Sequence, residues 1–136
     1  YAKKTGMGWV TTAVDSDCSL WAASLALDAA GNPHICYSSK YARWTGSAWK
    51  IETVNVGRIT TFALDTNGNP HIYSGSKYAK WTGTEWVIVV YKDGPRLAYS
   101  IAVDPAGNPH IIFGNCSDGS EWCPNPRILK HAQYKT

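Results

Sequence analysis

Three observations predict an all-β fold. Apolar residues alternate with small ones in short runs, as in Ser24-Leu25-Ala26-Leu27, Thr61-Phe62-Ala63-Leu64 and Ser100-Ile101-Ala102-Val103, the period of a strand rather than a helix. The runs are separated by turn chemistry, either Gly-Asn-Pro or Thr-Gly followed by two residues. Seven Trp and eight Tyr stand against two Phe and one Met, a balance of large rings with a polar edge that suits sheets and binding surfaces.

The runs are organised as a repeat. Asp28, Asp65 and Asp104 each close an alternating run, and each is followed by Gly-Asn-Pro-His: Gly31 to His34, Gly68 to His71, Gly107 to His110. The spacing is 37 from Asp28 to Asp65 and 39 from Asp65 to Asp104. Between these units lies a second hairpin, Tyr41-Ala42-Arg43-Trp44-Thr45-Gly46 with Trp49, and Tyr78-Ala79-Lys80-Trp81-Thr82-Gly83 with Trp86. Two hairpins per repeat at this spacing predict a β-propeller of four-stranded antiparallel blades, with three blades' worth in the chain.

Taken in order, with the strands of a blade called A to D, residues 1–14 supply a C and a D strand: Tyr1-Ala2-Lys3-Lys4-Thr5-Gly6, then Trp9-Val10-Thr11-Thr12. The blades then occupy about 20–56, 57–96 and 97–136 of one domain, 1–136, a half-propeller. In strand A the bulky side chains (Leu25 and Leu27, Phe62 and Leu64, Ile101 and Val103) share one face and Ala26, Ala63 and Ala102 the other. Such a sheet stacks on copies of itself, large residues over the neighbour's Ala. The last strand, Lys130-His131-Ala132-Gln133-Tyr134, matches strand C with His131 in place of Tyr. Strand D of the third blade is missing there and present at the N-terminus, so the N-terminal strands are expected to close that blade.

The turn has its own mechanics. Gly supplies φ > 0, Pro fixes the entry to the next strand, and the Asp carboxylate accepts backbone N–H groups. His34, His71 and His110 follow closely enough to pair with Asp28, Asp65 and Asp104. Because the pair recurs in every blade it reads as scaffold, and so do Trp9, Trp49 and Trp86; a catalytic group or metal ligand is needed once. A calcium reading of Asp65-Thr66-Asn67-Gly68-Asn69 fails on the same comparison, since Ala30 and Ala106 replace Asn67 and no bidentate acid follows. No metal and no cofactor is expected.

The 136 residues are 44% hydrophobic, enough for a core. A net charge of +3 spread along the chain argues against nucleic acid as a partner, and the longest apolar run, Trp86 to Tyr91, is far short of a membrane span. A start at Tyr1 without initiator Met or leader reads as a processed chain or a piece of a longer one. Four Cys without C-x-x-C spacing point to disulfides and an oxidising compartment rather than zinc.

The run Ser-Leu-Ala-Leu-Asp-x-x-Gly-Asn-Pro-His-Ile-x-Tyr, followed by Lys-Tyr-Ala-x-Trp-x-Gly-x-x-Trp, resembles the tandem propeller repeats of secreted or surface-anchored prokaryotic proteins, and is distantly similar to sialidase-type and lectin-type propellers. The resemblance covers nearly the whole chain and implies an extracellular or cell-surface binding or adhesion platform. The Asp-box pattern Ser-x-Asp-x-Gly-x-x-Trp of sialidases is not met by the repeat.

Departures from the repeat mark where to look for function. The largest lengthens the B-to-C loop of blade 3 through Gly114 to Arg127. Cys116 and Cys123 lie within it, and a bridge between them would stiffen the loop and hold Trp122 outward. The D-to-A and B-to-C connections share one end of a propeller, which favours Cys18–Cys36 as the second bridge among three connectivities. Arg58, Arg96 and Arg127 fall at that end beside Trp21, Tyr73, Tyr99 and Trp122, a set suited to a carboxylate, sulfate or acidic-sugar ligand.

The leading expectation is therefore a non-enzymatic extracellular module that binds a glycan or protein, or assembles. A sialidase-like enzyme and a structural repeat of a surface layer or fibre are the alternatives. Three blades leave two open faces, covered either by a second copy, head to tail into six blades, or by the rest of a longer propeller.

Overall fold

In the computed structural model, which describes residues 1–18, 22–91, 97–116 and 127–133, every regular element is a strand. A hairpin pairs β1 (Ala2–Thr5) with β2 (Gly8–Thr11). A four-stranded antiparallel sheet follows in the order β3 (Ala23–Leu27), β4 (Pro33–Tyr37), β5 (Lys40–Trp44), β6 (Trp49–Thr53). The second sheet repeats it with β7 (Thr61–Leu64), β8 (Pro70–Ser74), β9 (Lys77–Trp81) and β10 (Trp86–Val90). The third has β11 (Leu97–Val103), β12 (Pro109–Cys116) and β13 (Arg127–Gln133).

Register repeats with the sequence. Leu25 stands opposite Ile35, Ile35 opposite Ala42, and Ala42 opposite Ile51. Phe62, Ile72, Ala79 and Ile88 form the same row in the second sheet, and Ile101, Ile111 and Ala132 in the third. Since facing residues share a side of the sheet, each row is one face. The row of the second sheet packs on the first: Phe62, Ile72 and Ala79 form one core with Cys36, Tyr41, Val54, Val56 and Ile59, and Ala26 lies against it. The row of the third sheet packs on the second, where Ile101 and Ile111 join Tyr73, Tyr78 and Ala98 over Ala63. Bulky residues of one sheet thus cover the Ala of its predecessor.

The connections between sheets are tied down at one end. Val54 N–H donates to Ser39 O at 2.8 Å, Ile59 N–H to Ser38 O at 2.7 Å, and Tyr91 N–H to Ser76 O at 2.7 Å. The carboxylate of Asp15 accepts from Tyr37 Oη–H at 2.9 Å and Lys40 Nζ at 2.8 Å. These bonds, the Lys40 contact first, hold its carboxyl down at about 2.

Within the single chain β1 and β2 form a sheet of their own, and among the described residues β13 pairs with β12. Two expectations are corrected. Cys116 and Arg127 are not in a loop, because β12 and β13 pair as far as Cys116 opposite Arg127; the Cys116–Cys123 bridge lies outside the described residues. Cys18 and Cys36 are free thiols. Cys36 is 1% exposed in the core between the first two sheets, and burial pushes its pKa well up. The segment carrying Cys18 is held through Asp15 to Tyr37, and neighbours along a strand point to opposite faces, so Cys36 faces away from it.

Candidate functional site

The repeated turns are built alike. Asp28 Oδ1 accepts the N–H groups of Ala30 and Asn32 at 2.9 and 2.8 Å, and Asn32 Nδ2 donates to Asp28 Oδ2 at 3.0 Å. Asp65 and Asp104 hold Asn69 and Asn108 in the same way. Gly31, Gly68 and Gly107 supply the positive φ (80°, 77° and 83°) that closes each turn. Each carboxylate then faces the following imidazole, at 3.6 Å for Asp28 and His34, 3.6 Å for Asp65 and His71, and 3.5 Å for Asp104 and His110.

The other ring nitrogen completes a relay across the sheet. His34 Nδ1 meets Tyr41 Oη at 2.5 Å and His71 Nδ1 meets Tyr78 Oη at 2.7 Å. With Nδ1 accepting from the Tyr hydroxyl, Nε2–H is turned toward the Asp at 3.6 Å, an electrostatic contact longer than a hydrogen bond, and Nε2 of His71 is buried with no hydrogen-bond partner among the described residues. Burial, outweighing the carboxylate, moves the pKa of His34 and His71 below the usual value. In the third sheet His131 takes the tyrosine's place, with His110 Nδ1 and His131 Nε2 at 3.0 Å and the rings stacked. His131 is exposed to solvent and His110 partly so.

Aromatic pairs brace the outer strands. Trp44 meets Trp49 edge-on across the β5–β6 pair, and Trp81 meets Trp86 likewise. Tyr41 packs edge-on against Trp86 of the next sheet at 5.6 Å, and Tyr1 of the hairpin repeats this against Trp49 at 5.7 Å. Trp86 Nε1 donates to Glu52 Oε2 at 3.3 Å. Trp49 Nε1 is buried without such a partner, because Thr12 stands where the sheet has Glu52. Trp9 is 69% exposed.

Between the turn ends of the first and second sheets lies a cleft of about 620 Å³. Its walls include Trp44 and Trp81, the turn residues Ala30 and Asn67, and Arg43 and Glu52. The backbone of Arg43 is paired within the sheet, and its side chain forms no hydrogen bond or ion pair with the described residues. Burial raises the carboxyl of Glu52, but hydrogen bonds from Lys50 at 2.8 Å and Trp86 outweigh it and leave the pKa lowered. Two of these side chains break the repeat. Asn67 stands where the sister turns have Ala30 and Ala106, and Glu52, opposite Tyr41, stands where Val89 is opposite Tyr78. Arg43 corresponds to Lys80. Asp28, Asn32, His34, Tyr41 and Asn69 of the repeated scaffold line the cleft as well, so it combines recurring polar groups with two departures from the repeat.

The residues expected at the other end of the sheets are not gathered into a site. Tyr73 is 1% exposed and belongs to the core between the second and third sheets, so it is a packing residue. Arg58 is exposed before β7, and its carbonyl accepts from Ser74 Oγ. Tyr99 is 53% exposed on β11, at a register shift, and lies over Gly114. Arg127 opens β13. Trp21, Arg96 and Trp122 lie outside the described residues. None of Arg58, Tyr73 or Tyr99 lines the cleft. Its own key residues escaped the sequence because recognising them requires knowing that the turn of one sheet abuts strand β5 of its predecessor; the signal available was that Asn67 and Glu52 each differ from their counterparts.

Among the described residues no group of three His, Cys, Asp or Glu side chains is placed to hold a metal ion, and no helix is long and apolar enough to cross a membrane. The chain matches no protein-family model and no curated protein.

Proposed function

We propose that the chain is part of a β-propeller, its sheets acting as blades, and serves as a non-enzymatic binding module whose ligand is a glycan held in the cleft between the first two sheets. The repeating register and the packing of each sheet on the Ala face of the last support the propeller arrangement. The observation that carries the binding reading is the convergence of repeat-breaking Glu52 and Asn67 with Arg43, Trp44 and Trp81 on one concave site. Two indole rings offer apolar faces to a sugar ring, and an amide, a guanidinium and a carboxylate offer donors and acceptors to its hydroxyls. The extracellular or cell-surface setting rests on the resemblance of the repeat.

Asn67→Ala is the sharpest probe, because the sister turns carry Ala at that position and fold alike. Against a glycan panel read by calorimetry, loss of its hydrogen bonds is expected to weaken binding roughly tenfold, about 1.4 kcal/mol, with unchanged thermal stability. Binding unaffected by Asn67→Ala and by Arg43→Ala would reject the cleft as the site.

A further inference from the structure

The two ends of the sheet array carry the two halves of an interface that the chain makes twice within itself. In the internal interfaces, the face bearing Phe62 and Ile72, or Ile101 and Ile111, is buried. The same face of the first sheet is open at β3, where Leu25 is 54% and Leu27 56% exposed, although Ala42 farther along the row is buried. Conversely, the receiving face with Ala26, His34 and Tyr41, or Ala63, His71 and Tyr78, is covered by the next sheet. On the third sheet that face carries Ala102, His110, Ile112 and His131, with Ile112 41% and Leu129 68% exposed. His71 has 0% of its side chain exposed and His110 32%. One face therefore lacks the sheet before it and the other lacks the sheet after it.

We propose that a second copy of this chain supplies both, docking head to tail so that Leu25 and Leu27 of one copy cover Ala102 and Ile112 of the other. The argument is continuity: each exposed face repeats, position for position and in the same register, a face that is buried inside the chain, with Ile112 in place of Cys36 or Tyr73 and His131 in place of the tyrosine. The pattern is heterologous, since neither exposed face matches itself. The hairpin marks the place. Tyr1 on Trp49 reproduces Tyr41 on Trp86, so β1 and β2 sit where the outer strands of a preceding sheet belong, and the inner position beside them is uncovered. β1 and β13 hold the same place in the repeat, so only one fits at the joint. The four residues of β1 are all exposed and β13 has seven; β13 is retained, and β2 of the second copy pairs with its free edge. This interface does not depend on the ligand of the cleft.

The test uses two charge variants at positions already exposed in the single chain, Leu25→Glu and Ile112→Glu, each checked for retained fold by circular dichroism. In analytical ultracentrifugation the parent chain is expected to sediment above its 14.9 kDa, and each variant alone as a monomer. Mixed, the two variants are expected to form a two-chain species, because the Leu25→Glu chain keeps an intact third-sheet face and the Ile112→Glu chain an intact first-sheet face. A parent chain that remains monomeric at high concentration overturns the proposal, as does a mixture of folded variants that stays monomeric.

Discussion

The imidazoles of His34, His71 and His110 occupy one position in three settings, and burial together with the third partner, a tyrosine in two sheets and His131 in the other, separates their contributions. His71, fully buried between Asp65 and Tyr78, is expected to be the costliest to lose: His71→Ala strands a carboxylate and a hydroxyl and lowers stability by about 3 kcal/mol in urea unfolding. His110→Ala, at a partly exposed site, is expected to cost less than about 1 kcal/mol in the isolated chain. Acid acts on the same residues. Because His34 and His71 have lowered pKa values when folded and titrate near 6.5 when unfolded, the unfolded chain takes up protons first, and stability falls as pH drops below about 6.5. Asp15 and Asp104, held at about 2 against 3.8 unfolded, add a second loss between roughly pH 4 and 2. Unfolding midpoints measured from pH 8 to 3 are expected to decline in these two stages, with the first flattened in His71→Gln. The Asp and His pairing was legible in the sequence because both residues flank one turn. Tyr41 and Tyr78 as third members were not, since they sit across the sheet and depend on register.

At the level of the element, the Gly-Asn-Pro turn is the most legible feature of the chain, because its constraints are local. Gly68 holds φ at +77°, a region where a Cβ costs about 1–2 kcal/mol. Gly68→Ala is therefore expected to lower stability by about 1 kcal/mol in the same assay, whereas Gly6→Ala, with no atom within 4 Å of the added carbon and no positive φ, is expected to change it little. Strand ends were less legible. The stretch around Cys116 and Arg127 carries Gly, Asn, Ser and Pro and reads as loop, yet β12 and β13 pair through Asn115 opposite Ile128, because the ladder continues where composition alone would end it. Cys36 reads as a disulfide partner until strand alternation turns it into the core between the first two sheets.

For the whole molecule, repetition separates scaffold from site. Everything that recurs three times, the turn, the pair of Asp and His, the row of bulky residues, serves the stacking of one sheet on the next. The sequence places the departures in the chain but not in space. The lengthened segment of the third sheet is the most conspicuous in the sequence, while the single changes at Glu52 and Asn67 are brought together only by the stacking, at the opposite end of the sheets from Arg58. These two ends make distinct claims about where a ligand sits. The most direct measurement is an NMR titration of the labelled chain with bound glycan, following the indole signals of Trp44 and Trp81 and the side-chain amide of Asn67. These are expected to shift together, with the backbone signals of Arg58 and Tyr99 unmoved. Shifts confined to Arg58, Tyr99 and their neighbours, with the cleft silent, would contradict the account.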